Sequence, residues 1–535
     1  MRSHLRKIYL MIKESKKNIL ILTLIIIFIS LFLKVDFRLK SELECCVDDH
    51  DYYIHAETSI LDFDFDYSNQ LEGFETRRNF INDKSSPIGF YGTGLLSAPF
   101  LFIGNIFDKL TGHDTVSGYT NKVIVYSFAS VFYLFFTFAL FVNIKKELKI
   151  KLPNFVILLF FLGTGLPYYA FERYSMTHVY DTFTVTALIY FLILFYKGGS
   201  SKYLIFISAF NLLTLMTRWT NYQVFILPFI IKRLFFKNSV FLLRRKKEFY
   251  IYTLSSIFIF LTHAKAIWGI YTLNPRKIYT ENQFISSYID YFISNPFRFI
   301  LDNISDSFTT LFTQEFGVFW FSPVIFFGIL YSFNLLKKDI TLGASLLLIF
   351  SFFFATVNAW QSTANAYGFR YLYPLISLSI ILYYHYAIKD RTLSKLTYFY
   401  LFIFSLLSIF SVLFFEGWTG TQLSLVEIEN SFGKVEKFIQ PEYLSGLLKG
   451  VFILETYLKI FTTSFLGLIF IKLILLFSNI PTFNIFLSNF GLPVQNTDFQ
   501  NYLLQIDQIS IFTIFLAITM ILILSLLVFN LLFKD

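Results

Sequence analysis

The stretch NILILTLIIIFISLFL, residues 18–33, runs for sixteen residues without a charged side chain. Its length and hydropathy approach what a helix needs to cross the hydrocarbon core of a bilayer. Six basic residues precede it, at positions 2, 6, 7, 13, 16 and 17, and no small-residue cleavage site of a signal peptide follows it. We therefore expect an uncleaved first transmembrane helix, with the N-terminus in the cytoplasm by the positive-inside rule.

The composition of the whole chain agrees with this start. Of 535 residues, 55% are hydrophobic, 21% are aromatic and only 15% are charged, whereas a soluble domain carries about 25% charged residues. An ordinary soluble enzyme and a disordered protein are therefore excluded. The 45 Lys and Arg residues flank apolar runs, so no nucleic-acid partner is expected. The adjacent Cys45 and Cys46 do not have the spacing of zinc ligands and cannot form a disulfide framework. We favour two thiols without a functional role over a vicinal disulfide.

Further apolar runs follow along the chain, and most of them end in basic residues. Alternating the direction of the chain at each run places the basic clusters on the cytoplasmic side. The sequence predicts an all-α polytopic membrane protein with about 11–13 transmembrane helices, of which the pattern leaves the last two open. The runs that carry this count are 123–142, 155–170, 179–196, 203–217, 222–231, 250–270, 318–336, 342–359, 372–388 and 396–415.

One apolar segment, Gly92 to Leu110, is broken by Gly94, Pro99 and Gly104. If it crossed the membrane, the basic residues 145–151 would lie outside, so we expect an interfacial helix at 92–110. It follows an acidic outer loop at 34–89. We expect further outer loops at 271–316 and 416–450.

The densest group of polar residues is Asp48-Asp49-His50-Asp51-Tyr52-Tyr53, in the outer loop just beyond the first helix. Carboxylates close to the membrane surface can deprotonate an acceptor hydroxyl, which makes Asp48 and Asp49 candidate catalytic residues. The same stretch offers a candidate site for a divalent ion such as Mg²⁺ or Mn²⁺, with the ligands Asp48, Asp49, His50 and Asp51. The alternative is a solvated acidic loop, because the loop also contains Asp62, Asp64 and Asp66.

Several other ionisable residues occur where helices should meet the outer interface. Charges at such depth are costly and often mark a substrate site, although each of them alone can also extend to the lipid headgroups. Together the basic members predict a cationic pocket that faces the acidic loop and suits a lipid phosphate. The set consists of Glu172, Arg173, His178, Arg218, Lys265, Arg276, Lys277 and Arg370.

These residues resemble the motifs of the C superfamily of glycosyltransferases (GT-C), which includes the protein O-mannosyltransferases and the aminoarabinose transferases of lipid A. Three stretches carry the resemblance: the acidic pair followed by Tyr52, the segment from Pro87-Ile88-Gly89 through Gly94 to Phe100, and Met216-Thr217-Arg218-Trp219-Thr220. A fourth, Trp360 to Arg370, looks like a signature of bacterial members. The resemblance covers the order of elements from about residue 18 to 390.

The resemblance implies a fold, a reaction and roles for residues. It places Asp48 at the family's catalytic aspartate and Glu172 at a second acidic position. The donor's lipid phosphate and sugar would then contact residues Tyr52, Glu172, His178, Arg218, Lys265 and Arg370. The departure His50-Asp51 leaves the use of a metal open. In the family the first spans form a shared module and the later ones vary, which would place the shared module here at 1–271 and a variable transmembrane module at 272–535.

The implied reaction is an inverting transfer of a sugar from a polyprenyl-phosphate donor to an acceptor hydroxyl at the outer face of the membrane. A bacterial inner membrane is the simplest location that provides a lipid-linked donor and an outward-facing site. The sugar and the acceptor, whether a glycan, a lipid or a protein, stay open. Rival interpretations are an envelope oligosaccharide polymerase or ligase, a lipid flippase or transporter, and a membrane scaffold. The transporter is disfavoured because transporters usually show related halves and binding sites near the bilayer midplane.

Overall fold

The computed structural model describes residues 2–35, 47–71, 79–81, 84–87, 89–112, 121–237, 246–273, 291, 293–313, 316–360, 367–389, 395–414, 452, 454–489 and 497–533. The described chain is helical apart from its connections and one short antiparallel hairpin, β1 (Asn79–Ile81) and β2 (Lys84–Ser86). The helices of the first half are α1 (Arg2–Phe32), α2 (Val47–Glu57), α3 (Tyr91–Thr111), α4 (Asn121–Glu147), α5 (Asn154–Leu162), α6 (Leu166–Phe171), α7 (His178–Gly198), α8 (Lys202–Thr217), α9 (Leu227–Phe235) and α10 (Lys246–Trp268).

The second half of the chain continues in the same way. Its helices are α11 (Pro296–Phe312), α12 (Val318–Phe321), α13 (Pro323–Lys338), α14 (Ile340–Trp360), α15 (Pro374–Lys389), α16 (Lys395–Phe414), α17 (Leu454–Thr463), α18 (Phe465–Leu475), α19 (Ile480–Ser488), α20 (Thr497–Gln508) and α21 (Ile511–Phe533). Short 3₁₀ turns at Trp219–Phe225 and Arg370–Leu372 precede α9 and α15.

Six helices within the described ranges are long and apolar enough to cross a membrane. They are α4, α7, α10, α14, α16 and α21, and shorter apolar helices lie at Lys17–Phe32, Lys202–Thr217 and Phe465–Leu475. The prediction of an all-α polytopic membrane protein is confirmed. Three of the predicted runs are not single helices. The run 318–336 divides into α12 and α13 at Ser322. The run 155–170 divides into α5 and α6 around Gly163, which packs directly against Ser405, and the run 222–231 begins as a 3₁₀ turn.

The predicted interfacial segment forms α3, which runs antiparallel beside the N-terminal half of α4. The Tyr133 hydroxyl donates to the Leu96 carbonyl at 3.1 Å, and the Asp108 carboxylate accepts from the backbone amides of Asn121 at 2.5 Å and Lys122 at 3.0 Å. These contacts pair α3 with only the first thirteen residues of α4. The interfacial position of α3 relative to a membrane stays a prediction.

The last helix closes the bundle against the first ones. α21 packs against α1 and α4, where Thr513 donates to the Asn121 side chain at 2.8 Å and Asn154 donates to the Leu531 carbonyl at 2.8 Å. The backbone amide of Phe465 also donates to the Leu33 carbonyl at 2.9 Å. Elements on both sides of residue 271 therefore share one core. The module boundary at 271 stays a prediction, and the loop 416–450 lies outside the described residues.

Candidate active site

The acidic cluster forms the first turn of α2, and its carboxylates point in different directions because successive helical residues are rotated by about 100°. The side chain of Asp48 is 51% exposed, whereas that of Asp49 is 5% exposed. Asp49 accepts hydrogen bonds from Nε of Arg173 at 2.9 Å and from its Nη2. The Ser175 hydroxyl donates to the Asp49 carbonyl at 2.6 Å. Asp49 therefore anchors α2 to the segment between α6 and α7, and Asp48 remains accessible.

The environment of Asp49 acts on its ionisation in two opposing ways. Burial raises the pKa of the Asp49 carboxyl, and the ion pair with Arg173 offsets part of that increase. One of its two oxygens has no hydrogen-bond partner among the described residues. Burial of this ion pair therefore costs desolvation free energy, while the pair fixes the position of α2, as expected of a buried ion pair.

Asp51 lies on another side of α2 and binds the chain that leads into α3. Its carboxylate accepts from the Gly89 amide at 3.0 Å. A Cβ atom at Gly89 would stand 3.1 Å from both Asp51 Cβ and the Tyr52 ring, so a side chain here would push these neighbours by a few tenths of an ångström. His55 completes this contact through bonds of 2.8 Å to the Tyr67 hydroxyl and to the Gly89 carbonyl. The sequence-predicted residue Tyr52 is buried in this packing.

The arrangement does not assemble the predicted metal site. Asp49 faces Arg173 and Asp51 faces the Gly89 amide, so these two carboxylates do not converge with Asp48 and His50 on one point. Among the residues that the structure describes, no group of three or more His, Cys, Asp or Glu side chains is placed to hold a metal ion. The donor set Asp48, Asp49, His50 and Asp51 therefore does not fit a divalent ion, and we derive no step through one.

The exposed carboxylate of Asp48 faces a guanidinium group from the far half of the chain. Arg370 Nη2 lies 3.8 Å from Asp48 Oδ2, and the Arg370 side chain is 18% exposed. The Nε atom of Arg370 is buried without a hydrogen-bond partner in the described chain. The guanidinium lies 5.5 Å from the ring centre of Tyr371, and the guanidinium of Arg218 approaches the same ring to 4.1 Å. The ring attracts both cations.

His178 supplies a third donor beside the arginines. Its Nδ1 lies 3.0 Å from Nη1 of Arg218. Because a guanidinium only donates, Nδ1 must accept, and the proton of the neutral imidazole is then on Nε2. That Nε2 is buried and has no hydrogen-bond partner in the described part of the chain. The site thus contains a buried N–H donor without an acceptor among the described residues.

The site also contains residues that the sequence analysis did not select. Asp181, one helical turn after His178, accepts from the Asn221 amide at 2.5 Å, and its other oxygen has no partner among the described residues. A carboxylate within an apolar run, three residues from a histidine, was the available signal for Asp181. The sequence contained no such signal for Asn221 and Tyr371, because neither residue type is unusual near a membrane.

The remaining predicted residues divide into two groups. Glu172 is buried and directly precedes Arg173, the partner of Asp49. Lys265 is exposed, donates to the Gly269 carbonyl at 2.5 Å and lies 5.8 Å from the Tyr271 ring centre. No described contact links it to the arginines. The structure therefore brings Asp48, Arg370, Arg218 and His178 together and places Lys265 apart from them. Arg276 and Lys277 lie outside the described residues.

Comparisons with known proteins give weak structural likenesses. A crystal structure of the Archaeoglobus fulgidus oligosaccharyltransferase with Zn and sulfate is 15% identical, with 79% of this chain and 57% of that chain covered and a TM-score of 0.42. Archaeal oligosaccharyltransferase AglB from the same organism, in complex with an inhibitory peptide and a dolichol-phosphate, is 13% identical, with 84% and 56% covered and a TM-score of 0.38.

The chain spans somewhat more than half the length of the structures that it resembles. No protein-family model and no curated protein matches the sequence.

Proposed function

We propose that this membrane protein is a glycosyltransferase of the GT-C type, which transfers a sugar from a polyprenyl-phosphate donor to an acceptor hydroxyl at the outer membrane surface. The observation that carries the proposal is the half-exposed carboxylate of Asp48 beside the partly buried guanidinium of Arg370. A carboxylate that solvent can reach serves an incoming acceptor. A partly buried cation whose Nε atom has no hydrogen-bond partner among the described residues serves an anionic donor.

The base in this proposal is Asp48. As the acceptor oxygen forms its bond to the anomeric carbon, the hydroxyl proton passes to the Asp48 carboxylate. The bond between the anomeric carbon and the phosphate oxygen breaks, and its electron pair stays on the phosphate. A single displacement of this kind inverts the anomeric centre. Asp49 does not compete for the role, because it is buried and bonded to Arg173.

The leaving phosphate gains negative charge during this step, and fixed donors stabilise it most when they are already in place. Arg370 Nε and His178 Nε2 are both buried donors without partners among the described residues, and Arg218 holds His178 in the donating tautomer. The two guanidinium groups on the Tyr371 ring suit a phosphate because their planar N–H groups match its oxygens. In this proposal Glu172 and Tyr52 shape the wall of the site, and Lys265 is not required.

The proposed location follows from the basic clusters. The basic residues at 145–151, 232–247 and 337–338 belong on the cytoplasmic side by the positive-inside rule. α8 begins at Lys202 and α15 ends at Lys389, whereas Arg218 follows α8 and Arg370 precedes α15. The site therefore lies at the ends of these two helices that are away from their basic residues. The reaction would therefore take place at the outer face, in a bacterial inner membrane or in a membrane of equivalent orientation.

The test is transfer of radiolabelled sugar from a panel of polyprenyl-phosphate sugars, in membranes that contain the wild type or a variant at matched expression. We expect the wild type to transfer label from at least one donor and Asp48→Asn to lose the activity. Asp64→Asn is the matched control, because Asp64 is an exposed acid of the same loop. Full activity of Asp48→Asn would contradict the proposal and favour the polymerase or ligase interpretation.

A further inference from the structure

A second cavity lies at the other end of the helix bundle, away from the candidate active site. Its volume is about 760 Å³, and the ends of α9, α13 and α15 and the start of α14 line it. α15 begins just after Arg370 and contains sixteen residues, so the two sites are separated by about 24 Å along this helix. Because α9, α13 and α15 have basic residues in their last turns here, the positive-inside rule assigns this end of the bundle to the cytoplasmic side.

The rim of this cavity is strongly cationic. It contains the side chains of Arg233, Lys237, Lys338 and Lys389 and one carboxylate, that of Asp339. Four positive charges and one negative charge leave an excess of three positive charges. Three helices contribute the cations, so the excess depends on the tertiary fold and not on one basic run.

Asp339 fixes the geometry of part of this rim. Its carboxylate accepts from Arg233 Nε at 2.8 Å and Nη2 at 2.8 Å, and from Lys237 Nζ at 3.1 Å. The hydrogen bonds from Arg233 hold the pKa of Asp339 well below its usual range. Lys389 is exposed and has no hydrogen bond or ion pair within the described chain. It is therefore available to an external anion.

The inner wall of the cavity is apolar and aromatic. His385 bonds to the Tyr331 hydroxyl at 2.9 Å and packs edge-on against Phe235. Leu335 and Leu342 complete this wall. A cationic rim above an apolar wall suits an amphipathic ligand that has an anionic head and a hydrocarbon tail, and a small soluble anion would use only the rim.

We propose that this cavity binds the phosphate headgroup of an anionic lipid from the membrane leaflet opposite the candidate active site. Basic pockets between transmembrane helices on the cytoplasmic side commonly bind such headgroups, and each Lys or Arg near the surface adds about 1 kcal/mol to the attraction. The proposal does not depend on the glycosyltransferase function. It rests on the cavity, its charge excess and its apolar wall.

The test measures lipid binding to the full-length protein in detergent by native mass spectrometry, with dioctanoyl phosphatidic acid as the probe and dioctanoyl phosphatidylcholine as the zwitterionic comparison. We expect one saturable phosphatidic acid site, and Lys389→Gln and Arg233→Gln should each weaken it about fivefold. Lys337→Gln is the matched control, because Lys337 is an exposed neighbour of Lys338 that does not line the cavity. Inorganic phosphate at the same concentration should leave the lipid bound.

The outcomes distinguish a specific lipid-binding site from binding to general surface charge. Weakening in both cavity variants with an unchanged control supports the proposal. An equal loss in Lys337→Gln, unchanged binding in Lys389→Gln, or equal binding of phosphatidylcholine would overturn it. Displacement by inorganic phosphate would overturn the assignment to a lipid. Because Arg233→Gln also breaks the contact with Asp339, Lys389→Gln gives the measurement that is independent of folding.

Discussion

We expect opposite effects on stability and on activity when the neighbouring residues Asp48 and Asp49 are each replaced by alanine. Asp49 is buried and paired with Arg173, so Asp49→Ala removes one partner of a buried ion pair. Removal of one partner from a buried pair costs about 3–5 kcal/mol of folding free energy. Asp48 is half-exposed and 3.8 Å from Arg370, so Asp48→Ala should cost about 1 kcal/mol or less. Both residues lie in the first turn of α2, where their interactions with the helix dipole are similar and cancel in the comparison.

Activity should change in the reverse order. Loss of a general base typically lowers the rate by about 10² to 10⁴, so the protein with Asp48→Ala should be folded and inactive. We would measure unfolding of the purified protein by intrinsic fluorescence in increasing denaturant, and sugar transfer per folded molecule. A double variant, Asp49→Leu with Arg173→Met, removes both charges and should be more stable than Asp49→Ala alone.

Two results would refute this reasoning. If Asp48→Ala destabilised the protein as much as Asp49→Ala, the difference in burial between the two carboxylates would not govern their roles. If Asp48→Ala kept its activity and Asp49→Ala lost activity in the folded state, the base would be Asp49.

Three further predictions concern the donor site, the support of α2 and the orientation of the chain. Arg370→Gln should lower the transfer rate at least tenfold with little loss of stability, in a steady-state assay over donor concentration, because a neutral amide stabilises the leaving phosphate less. Gly89→Ala should destabilise the fold by about 1–3 kcal/mol in the same unfolding assay, because its Cβ would stand 3.1 Å from Asp51 and Tyr52. In a background without the native cysteines, a membrane-impermeant maleimide should label Asp64→Cys and not Lys338→Cys in intact cells; the reverse would invert the topology.

Much of the architecture could be predicted because the bilayer imposes it. The first helix and the helical class follow from hydropathy. The interfacial position of the segment before α4 rests on the side on which basic residues must lie, and it stays a prediction. The positions at which helices break were harder to predict from the sequence. The run 155–170 has continuous hydropathy, and its division at Gly163 depends on close packing against Ser405, which lies more than 200 residues away.

The candidate site shows the same limit at the level of side chains. The sequence identified the acidic cluster but could not separate the two aspartates, because the difference is set by Arg173, 124 residues away. It grouped Lys265 with the arginines because both types belong to the outer interface, whereas the carbonyl of Gly269 holds this lysine apart. The sequence predicted which residue types belong to the site and their approximate depth in the membrane. The direction of each side chain depends on the tertiary fold and could not be predicted.

The contact between α21 and the N-terminal helices has a consequence for biosynthesis. Thr513 bonds to Asn121 across 392 residues, and Leu531 bonds to Asn154 across 377. At typical translation rates the ribosome needs about 20–80 s to make the intervening chain. During this interval the groove between α1 and α4 is open to lipid or to a chaperone. The first helices to enter the membrane thus receive their final partner last, and a chain truncated before residue 511 should leave that groove unfilled.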